Sequence, residues 1–369
     1  MSFCFFMDID ERIKLITGVG EEIVTPEELR QLLEEKKNPI AYDGFEPSGL
    51  AHLAFGVFRP LLLKDLIKAG IKFKIWLADW FAWINNKMDG DLDKIRTTAD
   101  YFIEVWKAAG VPTGKVEFLY ASDAMDSIEY WNRVVRIAKV TTVARATRAL
   151  TIMGRKEGEM SEVAAYFYPV MQVSDIFHLQ ADITQLGLDQ RRANMLAREV
   201  GPKLGFWKPV VISHHMLINL EGAKEPEGLS DEVSRDYHLI DTKMSKSKPS
   251  SSIFIHDTFD EIRKKITSAY CPPKEVQGNP LLDYAKHLVF RAFNEFKIER
   301  KEKFGGDISF TNYEELEKSY VIGDLHPMDL KNSMTTYIDK MVKPVRDHFE
   351  SKSSARDLYE QVKGFQVTR

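Results

Sequence analysis

Two short segments of the chain have residue types suited to holding a polyphosphate. Residues 42–56 read Tyr-Asp-Gly-Phe-Glu-Pro-Ser-Gly-Leu-Ala-His-Leu-Ala-Phe-Gly and combine small residues with His52. Small residues let a backbone approach a ligand closely, and a helix that begins there would offer free N–H groups to phosphate. Residues 243–247 read Lys-Met-Ser-Lys-Ser, and the two lysines can neutralise charge on a leaving pyrophosphate. In isolation, the first segment could equally be a tight turn and the second a surface linker.

A third group of side chains could line a pocket for a small polar ligand. Tyr168, Gln172 and Asp175 are spaced i, i+4 and i+7, which places them on one face of a helix. Their neighbours Met171 and Ile176 are apolar. The pattern therefore indicates either a pocket floor or a helix face whose polar residues meet solvent.

Residues 187–192, Gly-Leu-Asp-Gln-Arg-Arg, follow an apolar run and precede a helical pattern. An acidic residue such as Asp189 can accept hydrogen bonds from ribose hydroxyls in this position. Arg191 and Arg192 are expected to continue outward. Taken alone, they are an ordinary charged start of a helix.

Short apolar runs alternate with amphipathic stretches between residues 40 and 216, which predicts an α/β domain with a parallel sheet. The predicted strands are residues 40–43, 73–78, 116–120, 182–185 and 210–213. Predicted helices at 61–69 and 92–109 are followed by Gly70 and Gly110, which suit the end of a helix. The segment around His52 then lies where a strand leads into a helix.

Beyond about residue 256 the pattern becomes helical, with predicted helices at 259–269, 281–290, 313–320 and 327–349. We therefore expect three parts. These are a helical lead-in at 1–37, an α/β domain at 38–256 with an insertion near 127–165, and a helical domain at 257–369 with a final helix from 351. A polar loop at 221–236 and a polar linker at 243–252 are predicted to lead into the helical domain.

The composition limits the class of protein. The chain has 369 residues, a formal net charge of −4 and 44% hydrophobic residues, so it can form a sizeable core. No apolar run reaches the roughly 20 residues of a membrane helix, and the acidic start does not fit a signal peptide, so we expect a cytoplasmic protein. Cys4 and Cys271 are too far apart for a Cys-x-x-Cys motif. Residues 133–156 are basic without any acidic residue, which indicates a solvated helix face or a phosphate-contacting surface.

The order of these segments carries a resemblance to a known family. The His52 segment and Lys-Met-Ser-Lys-Ser resemble the two signature sequences of class I aminoacyl-tRNA synthetases. The approach to His52, residues 168–192, Phe304-Gly-Gly-Asp and residues 325–331 (Leu-His-Pro-Met-Asp-Leu-Lys) together resemble tyrosyl-tRNA synthetases of the archaeal and eukaryotic type. The resemblance covers about residues 41–349. It implies a Rossmann-like catalytic domain, a helical anticodon-binding domain and a homodimer formed through the insertion.

The resemblance also implies roles for individual residues. For tyrosine, Tyr42 and Asp175 match the pair that hydrogen-bonds the phenol hydroxyl, while Tyr168, Gln172 and Gln190 match the head-group contacts. Within the ATP site, His52, Lys243 and Lys246 are the expected catalytic residues. The matching ATP-binding positions are Gly44, Phe45, Glu46, Ser48, His52, Ala54, Gly187, Asp189, Lys243, Met244, Ser245 and Lys246.

Five residues match tRNA-contacting positions of that family. Arg191 and Arg192 correspond to a pair near the acceptor stem, and Phe304, His326 and Asp329 correspond to residues that recognise the first anticodon base. An aromatic ring with polar side chains is a usual way to read an unpaired base. The structural alternative is that Phe304 belongs to the core and that His326 merely begins a helix.

The reaction implied by the resemblance requires no nucleophilic triad. The substrate carboxylate is ionised at pH 7 and can attack the α-phosphorus of ATP directly, so positioning and charge stabilisation suffice. Mg²⁺ is expected to arrive with ATP. No protein-held metal is expected, because adjacent residues His214 and His215 at a strand end point to opposite sides. Ala54 and Phe55 stand where the family commonly has Gly and His, so phosphate contacts must rely on His52, backbone amides and the loop lysines.

Three alternatives remain for the activity. Tryptophanyl-tRNA synthetase shares the expected architecture, but indole offers one donor and no acceptor to Tyr42 and Asp175. A cytidylyltransferase would not explain Phe304 and His326. A non-catalytic RNA-binding descendant of a synthetase would not need both loop lysines. The expected partners are therefore L-tyrosine, ATP, tRNA(Tyr) and a second copy of the chain, with no membrane.

Overall fold

The computed structural model describes residues 7–156, 159, 162–223, 232–246 and 248–365. Cys4, Ser247 and the outer ends of the predicted lead-in and final helix lie outside these residues. Within the described part, the main sheet has the strands β1 Glu22–Val24, β2 Ile40–Phe45, β3 Lys72–Leu77, β4 Val116–Tyr120, β5 Ile183–Thr184 and β6 Val210–Ser213. The five strands predicted from the sequence are confirmed, with small shifts at some ends.

The sheet has a topology that leaves a crevice at its centre. Its strand order is β1-β6-β5-β2-β3-β4, and every neighbouring pair is parallel except β1 and β6. The chain runs outward from β2 to β4 and then returns to β5 on the other side of β2. Ligands of open α/β sheets bind beyond the carboxyl ends of the strands at such a reversal of strand order. The crevice between the ends of β2 and β5 is therefore the expected position of a site.

The described helices surround the sheet and continue beyond it. They are α1 Ile9–Thr17, α2 Pro26–Glu35, α3 Arg59–Lys68, α4 Asp79–Ile84, α5 Leu92–Ala108, α6 Ala121–Met125, α7 Ile128–Val140, α8 Val143–Ala149, α9 Ala164–His178, α10 Arg191–Val200, α11 Glu232–Thr242, α12 Phe259–Ser268, α13 Pro280–Tyr284, α14 Phe290–Ala292, α15 Tyr313–Ile322, α16 Pro327–Ser351 and α17 Ser353–Gly364. Five-residue π-helical turns at Ala54–Phe58 and Ala285–Val289 precede α3 and α14. Gly70 and Gly110 have the positive φ expected of residues that end helices.

Two short β elements were not predicted from the sequence. The lead-in contains β1 between helices α1 and α2, and β1 covers the edge of β6. The C-terminal region is predominantly helical, as expected, but also contains a hairpin of β7 Phe296–Ile298 and β8 Ile308–Phe310. Strands of three residues are too short to show a two-residue hydrophobic period, so sequence periodicity does not reveal them.

The predicted polar loop and linker have more structure than expected. Part of the loop forms α11, while residues 224–231 lie outside the described residues. The segment predicted as a linker packs back onto the sheet domain, because the Met244 N–H donates to the Leu217 carbonyl at 2.8 Å. The Ile255 N–H likewise donates to the Ala51 carbonyl at 3.1 Å. The linker prediction is therefore wrong, and this segment is part of the domain that contains His52.

The helical region shares its hydrophobic core with the sheet domain. Tyr101 on α5 and Phe349 on α16 place their ring centroids 5.5 Å apart, and His256 packs against both rings. One continuous cluster of buried apolar side chains includes residues of β2, β3, α5, α12 and α16. Among the described residues, no helix combines the length and apolar character needed to cross a membrane.

Candidate active site

A cavity of about 600 Å³ lies at the central crevice of the sheet. It is bounded by the ends of β2 and β5, by α9 and by the segment that follows α11. All of the residues expected to bind tyrosine or ATP line this one cavity: Tyr42, Gly44, Phe45, Glu46, Ser48, His52, Ala54, Tyr168, Gln172, Asp175, Gly187, Asp189, Gln190, Lys243, Met244, Ser245 and Lys246. The fold therefore brings together residues from four distant parts of the sequence.

The floor of the cavity contains a buried carboxyl group. Asp175 on α9 is 1% exposed, and the Tyr130 hydroxyl donates to its Oδ1 at 2.6 Å. Burial raises the pKa of Asp175 to about 8 from an ordinary value of 3.8, although the Tyr130 hydrogen bond acts in the opposite direction. A carboxyl group held in this way is poised to gain stability from a ligand that donates a further hydrogen bond.

Tyr42 on β2 lies on the same floor. Its side chain is buried, and its hydroxyl has no hydrogen-bond partner among the described residues. Burial, followed by the nearby Asp175 charge, raises the pKa of Tyr42, so its hydroxyl stays protonated. A buried polar atom without a partner is costly, so a hydroxyl on a bound ligand would remove this cost.

The opposite wall of this pocket is a chain of hydrogen-bonded polar side chains. The Tyr168 hydroxyl donates to Glu46 Oε1 at 2.6 Å. Gln172 Nε2 donates to Gln190 Oε1 at 3.1 Å, and Gln190 Nε2 donates to the Ile152 carbonyl at 3.0 Å. These contacts fix the two amides and the phenol along one side of the cavity.

Two lysines converge on the other end of the cavity. Lys243 Nζ is 2.6 Å from Asp189 Oδ2, so the lysine and the acidic residue expected at the ribose are already paired. Lys246 Nζ lies 3.4 Å from Ser48 Oγ and 4.3 Å from the centroid of the Phe102 ring. Burial, with the nearby positive charge of Lys87, lowers the pKa of Lys246 to about 7. Near pH 7, Lys246 is therefore only partly protonated in the free protein, and a bound anion would stabilise its charged form.

His52 lies beside these lysines. Burial and the charges of Lys246 and Lys243 lower its pKa to about 3, so its imidazole is neutral at pH 7. Its Nδ1 accepts from the Phe55 N–H at 3.4 Å, and an isolated β-bridge pairs His52 with Phe254. The remaining ring nitrogen is then available to donate a hydrogen bond to phosphate oxygen.

Two glycines allow the close approaches that shape this end. A Cβ on Gly56 would lie 2.4 Å from Ile255 Cγ2, so only glycine lets the segment after the lysines pack against the helix that follows His52. A Cβ on Gly187 would lie 2.5 Å from Met216 Sδ and 2.6 Å from Asp189 Oδ1. The glycine therefore leaves room for the side chain of Asp189, the acidic residue expected at the ribose.

The two arginines after Gln190 have different environments. Arg191 is partly exposed and pairs with Glu22 of β1, with its Nε 2.9 Å from the carboxylate. Arg192 is buried and pairs with Asp236 of α11. The expectation that both continue outward is therefore wrong for Arg192, because helix α11, which was not predicted, supplies a buried partner.

Two of the three residues expected at the anticodon, Phe304 and His326, are exposed on the helical region, and Asp329 is partly exposed. Phe304 is 57% exposed, so the alternative that it belongs to the core is wrong. His326 is exposed and caps α16, since its Nδ1 accepts from the Met328 N–H at 3.1 Å, while Asp329 lies in the first turn. Arg300 joins the two loops by donating to the carbonyls of Gly306 and Asp324 at 2.8 and 2.9 Å.

Five of the seven basic side chains at 133–156 have an ion-pair or hydrogen-bond partner among the described residues. Arg133 pairs with Glu129, Arg145 with Glu199 and Lys156 with Asp241. Arg136 donates to the Leu204 carbonyl and Arg155 to Asn85. These contacts favour a solvated, internally paired helix face over a phosphate-contacting surface.

Comparisons with known proteins fit this geometry. A family profile described as "tRNA synthetases class I (W and Y)" matches residues 34–231 and 237–343. The chain belongs to this synthetase family. A relative from Arabidopsis thaliana named tyrosine–tRNA ligase 1, cytoplasmic, is 44% identical over 365 residues, covering 98% of this chain and 90% of the relative. The tyrosine–tRNA ligase of Thermococcus onnurineus is 44% identical over 375 residues, covering 97% and 99%.

Solved structures of this synthetase family agree in fold. Tyrosyl-tRNA synthetase from Pyrococcus horikoshii, complexed with L-tyrosine, superposes with a TM-score of 0.86 at 40% identity. The alignment covers 96% of this chain and all of that chain. Tyrosyl-tRNA synthetase from Aeropyrum pernix gives a TM-score of 0.84 at 39% identity, covering 97% of this chain and all of its own. The resemblance inferred from the sequence is confirmed.

Sequence reasoning missed several side chains that shape this synthetase site. Tyr130 donates to Asp175 from the insertion, and its distance along the chain gives no sign of that contact. Asn85 donates to both oxygens of Glu46 at 3.0 and 3.2 Å. Arg59 is buried beneath the site and pairs with Asp43 at 2.7 Å. Arg59 lies among apolar residues in the helical stretch after His52. A charged residue in such a position is the sequence signal that could have indicated a buried ion pair.

Proposed function

We propose that this chain is a tyrosine–tRNA ligase, which joins L-tyrosine to ATP with release of pyrophosphate and then transfers the tyrosine to tRNA(Tyr). The observation that carries this proposal is that two sets of groups line one cavity. The buried Tyr42 hydroxyl and Asp175 carboxyl group lie on its floor, and the two lysines lie at its other end. Relatives named tyrosine–tRNA ligase support it across nearly the whole chain.

The floor suits a phenol better than related side chains. A phenol hydroxyl can donate to Asp175 and accept from Tyr42, which satisfies both groups. Phenylalanine would leave the buried Tyr42 hydroxyl without a partner and Asp175 with Tyr130 alone. Tyrosyl-tRNA synthetases are themselves the established example of such discrimination, at about 10⁵-fold. Indole has one donor and no acceptor, so tryptophan would satisfy only the carboxyl group. We assign Tyr168, Gln172 and Gln190 to the head group, because their polar atoms face the same pocket.

The lysine end suits the phosphates of MgATP. His52, Lys243 and Lys246 are assigned to the phosphates, and Asp189 to the ribose after Lys243 leaves it for phosphate. The tyrosine carboxylate attacks the α-phosphorus, and the bond to the β-phosphate oxygen breaks with release of pyrophosphate. Positive charge from the two lysines is most useful when charge moves onto that leaving group. Ala54 leaves space for adenine, and Gly44, Phe45, Glu46, Ser48, Gly187, Met244 and Ser245 complete the nucleotide side.

We assign tRNA contacts to two separate surfaces. Arg191, at the rim near β1, is placed near the acceptor end, while the buried Arg192 supports α11 instead. Phe304, His326 and Asp329 present one exposed ring and two polar groups to an unpaired base.

A homodimer formed through the insertion is also part of the proposal. The insertion and the first turn of α9 expose apolar side chains, which are Ile128, Val135, Val143, Val163, Tyr166 and Phe167. Apolar groups clustered on one surface are typical of a protein interface. Val143→Glu should convert a dimer in sedimentation analysis to a monomer, whereas Val321→Glu on the helical region should not. A cytoplasmic location is supported by the name of the Arabidopsis relative.

The test of the activity is amino-acid-dependent exchange of labelled pyrophosphate into ATP with each of the twenty amino acids. Exchange with tyrosine alone is expected. Exchange with tryptophan would instead make the chain the sister enzyme, and no exchange with any amino acid would favour a non-catalytic descendant. Charging of tRNA(Tyr) with labelled tyrosine then tests the second step.

A further inference from the structure

A second cluster of ionisable side chains lies outside the active site, where the helical region meets the sheet domain. His215 follows β6, while Asp283 and His287 lie one turn apart on α13 and the π-helical turn after it. His215 Nε2 is 2.7 Å from Asp283 Oδ1, and His287 Nε2 is 3.8 Å from the same oxygen. One ligand atom from each of the three residues lies within 4.8 Å of the other two.

We propose that His215, Asp283 and His287 form a zinc site that joins the helical region to the sheet domain. Two imidazoles and one carboxylate are a common set of three protein ligands for Zn²⁺, and a water molecule then completes a tetrahedron. Bonds of about 2.0–2.2 Å place neighbouring ligand atoms about 3.3 Å apart. The two measured separations lie on either side of this value, and the His287 ring must also turn away from the His215 ring, because two parallel stacked rings cannot both hold one metal ion in their planes.

Hydrogen bonds from neighbouring groups hold the ligands in place. Metal-binding histidines usually donate their second ring N–H to a carboxylate, and His215 Nδ1 is 2.9 Å from Glu21 Oε2. Asp283 Oδ2 accepts from the Ile218 N–H at 3.1 Å, which orients the carboxylate and leaves Oδ1 towards the histidines. Both contacts keep a ligand in the orientation that a metal requires.

An ion pair alone does not account for His287. Its ring stacks on that of His215 with centroids 4.0 Å apart and planes 10° apart, and its side chain is 22% exposed. Among the described residues, its ring nitrogens make no hydrogen bond, and the carboxylate at 3.8 Å is too far away to accept one. A ring nitrogen of His287 is therefore available to a cation bound at Asp283 Oδ1 once the ring leaves this stack.

The fourth ligand position has space for water. The three residues line a cavity of about 560 Å³ that also contacts Arg291 and Tyr313. The cluster unites segments that are far apart in sequence, since Glu21 precedes β1 and His215 ends the sheet while the other two residues belong to the helical region. His214 takes no part, because its ring faces Gln185 at 3.3 Å inside the sheet domain. His214 and His215 therefore point to different sides, as expected from the sequence. The second histidine of the proposed site is His287, from the π-helical turn after α13.

The test uses the full-length chain, stripped with EDTA and dialysed against limiting zinc chloride without ATP. We expect one bound zinc per chain by elemental mass spectrometry, and a tetrahedral visible spectrum when cobalt replaces zinc. His287→Ala should lose both signals. Zinc at one hundred times its Kd should lower the unfolding equilibrium constant of the unaltered protein about 100-fold, and should leave that of His287→Ala unchanged.

Two further variants separate metal binding from general effects on the fold. Glu21→Gln keeps all three ligands and should weaken zinc binding about 10- to 100-fold, as loss of a carboxylate that orients a metal-binding histidine usually does. His348→Ala removes another histidine–carboxylate pair between the same parts of the protein, His348 with Glu104 at 2.7 Å, and should bind zinc normally. Absence of bound zinc in the unaltered protein would overturn the proposal, as would equal binding by the His287→Ala and Glu21→Gln variants.

Discussion

The buried carboxyl group of Asp175 couples tyrosine recognition to the stability of the empty protein. Its pKa is raised to about 8 from 3.8 by burial, so the folded chain holds a proton that the unfolded chain releases between these two pH values. Because the folded state binds more protons in this range, stability falls as pH rises. The expected slope is about 1.4 kcal/mol per pH unit, which amounts to about 4 kcal/mol between pH 5 and pH 8.

Asp175→Asn should remove this loss of folding stability at higher pH. The Asn side chain has a similar shape, can still accept from Tyr130 and has no charge to bury. Relative to the unaltered protein, the variant should therefore become progressively more stable from pH 5 to pH 8, by about 4 kcal/mol at most. At the same time, kcat/KM for tyrosine should fall about 5- to 150-fold, because the asparagine NH2 then faces the phenol in place of an acceptor, and a buried polar group left without a partner costs about 1–3 kcal/mol.

Urea unfolding at pH 5, 6.5 and 8 measures the stability, and pyrophosphate exchange measures the activity. Asp357→Asn, on the exposed face of α17, is the matched control and should change neither quantity. A stability difference that stays constant across the three pH values would refute the reasoning about the carboxyl group. Unchanged kcat/KM for tyrosine would refute its place in the pocket.

Three other changes test separate parts of the site. Lys246→Met should lower kcat for exchange with little change in tyrosine affinity, and equal losses in tyrosine and ATP binding would contradict this. In the unaltered protein, kcat/KM for ATP should decline above about pH 7 as Lys246 loses its charge. Phe304→Ala should reduce kcat/KM for tRNA about 5- to 150-fold through lost stacking and leave exchange intact, so a parallel loss of exchange would indicate a structural role. Gly56→Ala should destabilise the fold by about 1–3 kcal/mol in urea unfolding, because its Cβ would collide with Ile255; an unchanged midpoint would mean that Ile255 moves at no cost.

The regular elements of the sheet could be predicted because each carries its own hydrophobic pattern. β2, β3, β4 and β6 are apolar runs bounded by turn residues, and the sequence locates them within two residues. β1 and α11 could not be predicted in the same way. β1 has three residues and depends on pairing with β6, while α11 lies in a polar stretch and is held by contacts such as the Arg192–Asp236 pair.

The candidate site was predictable as a set of residues but not as a network. Spacing on one helix face relates Tyr168, Gln172 and Asp175, because a helix has a fixed period. No comparable period relates Asp175 to Tyr130 or Glu46 to Asn85, which approach each other only after the insertion and α4 fold against α9. The buried state of Asp175, and with it the raised pKa, follows from these tertiary contacts.

The segment that carries the lysines shows why polarity alone misled the sequence interpretation. Lysines and serines are typical of solvated linkers, and residues 243–252 were predicted to be one for that reason. A segment that must meet a polyphosphate needs the same residue types, so composition cannot separate the two cases. The distinguishing residues are apolar ones: Met244, Ile253 and Ile255 are buried, and they attach both ends of the segment to the His52 region. Lys246 is thereby held inside the cavity with a lowered pKa, which a freely solvated linker could not achieve.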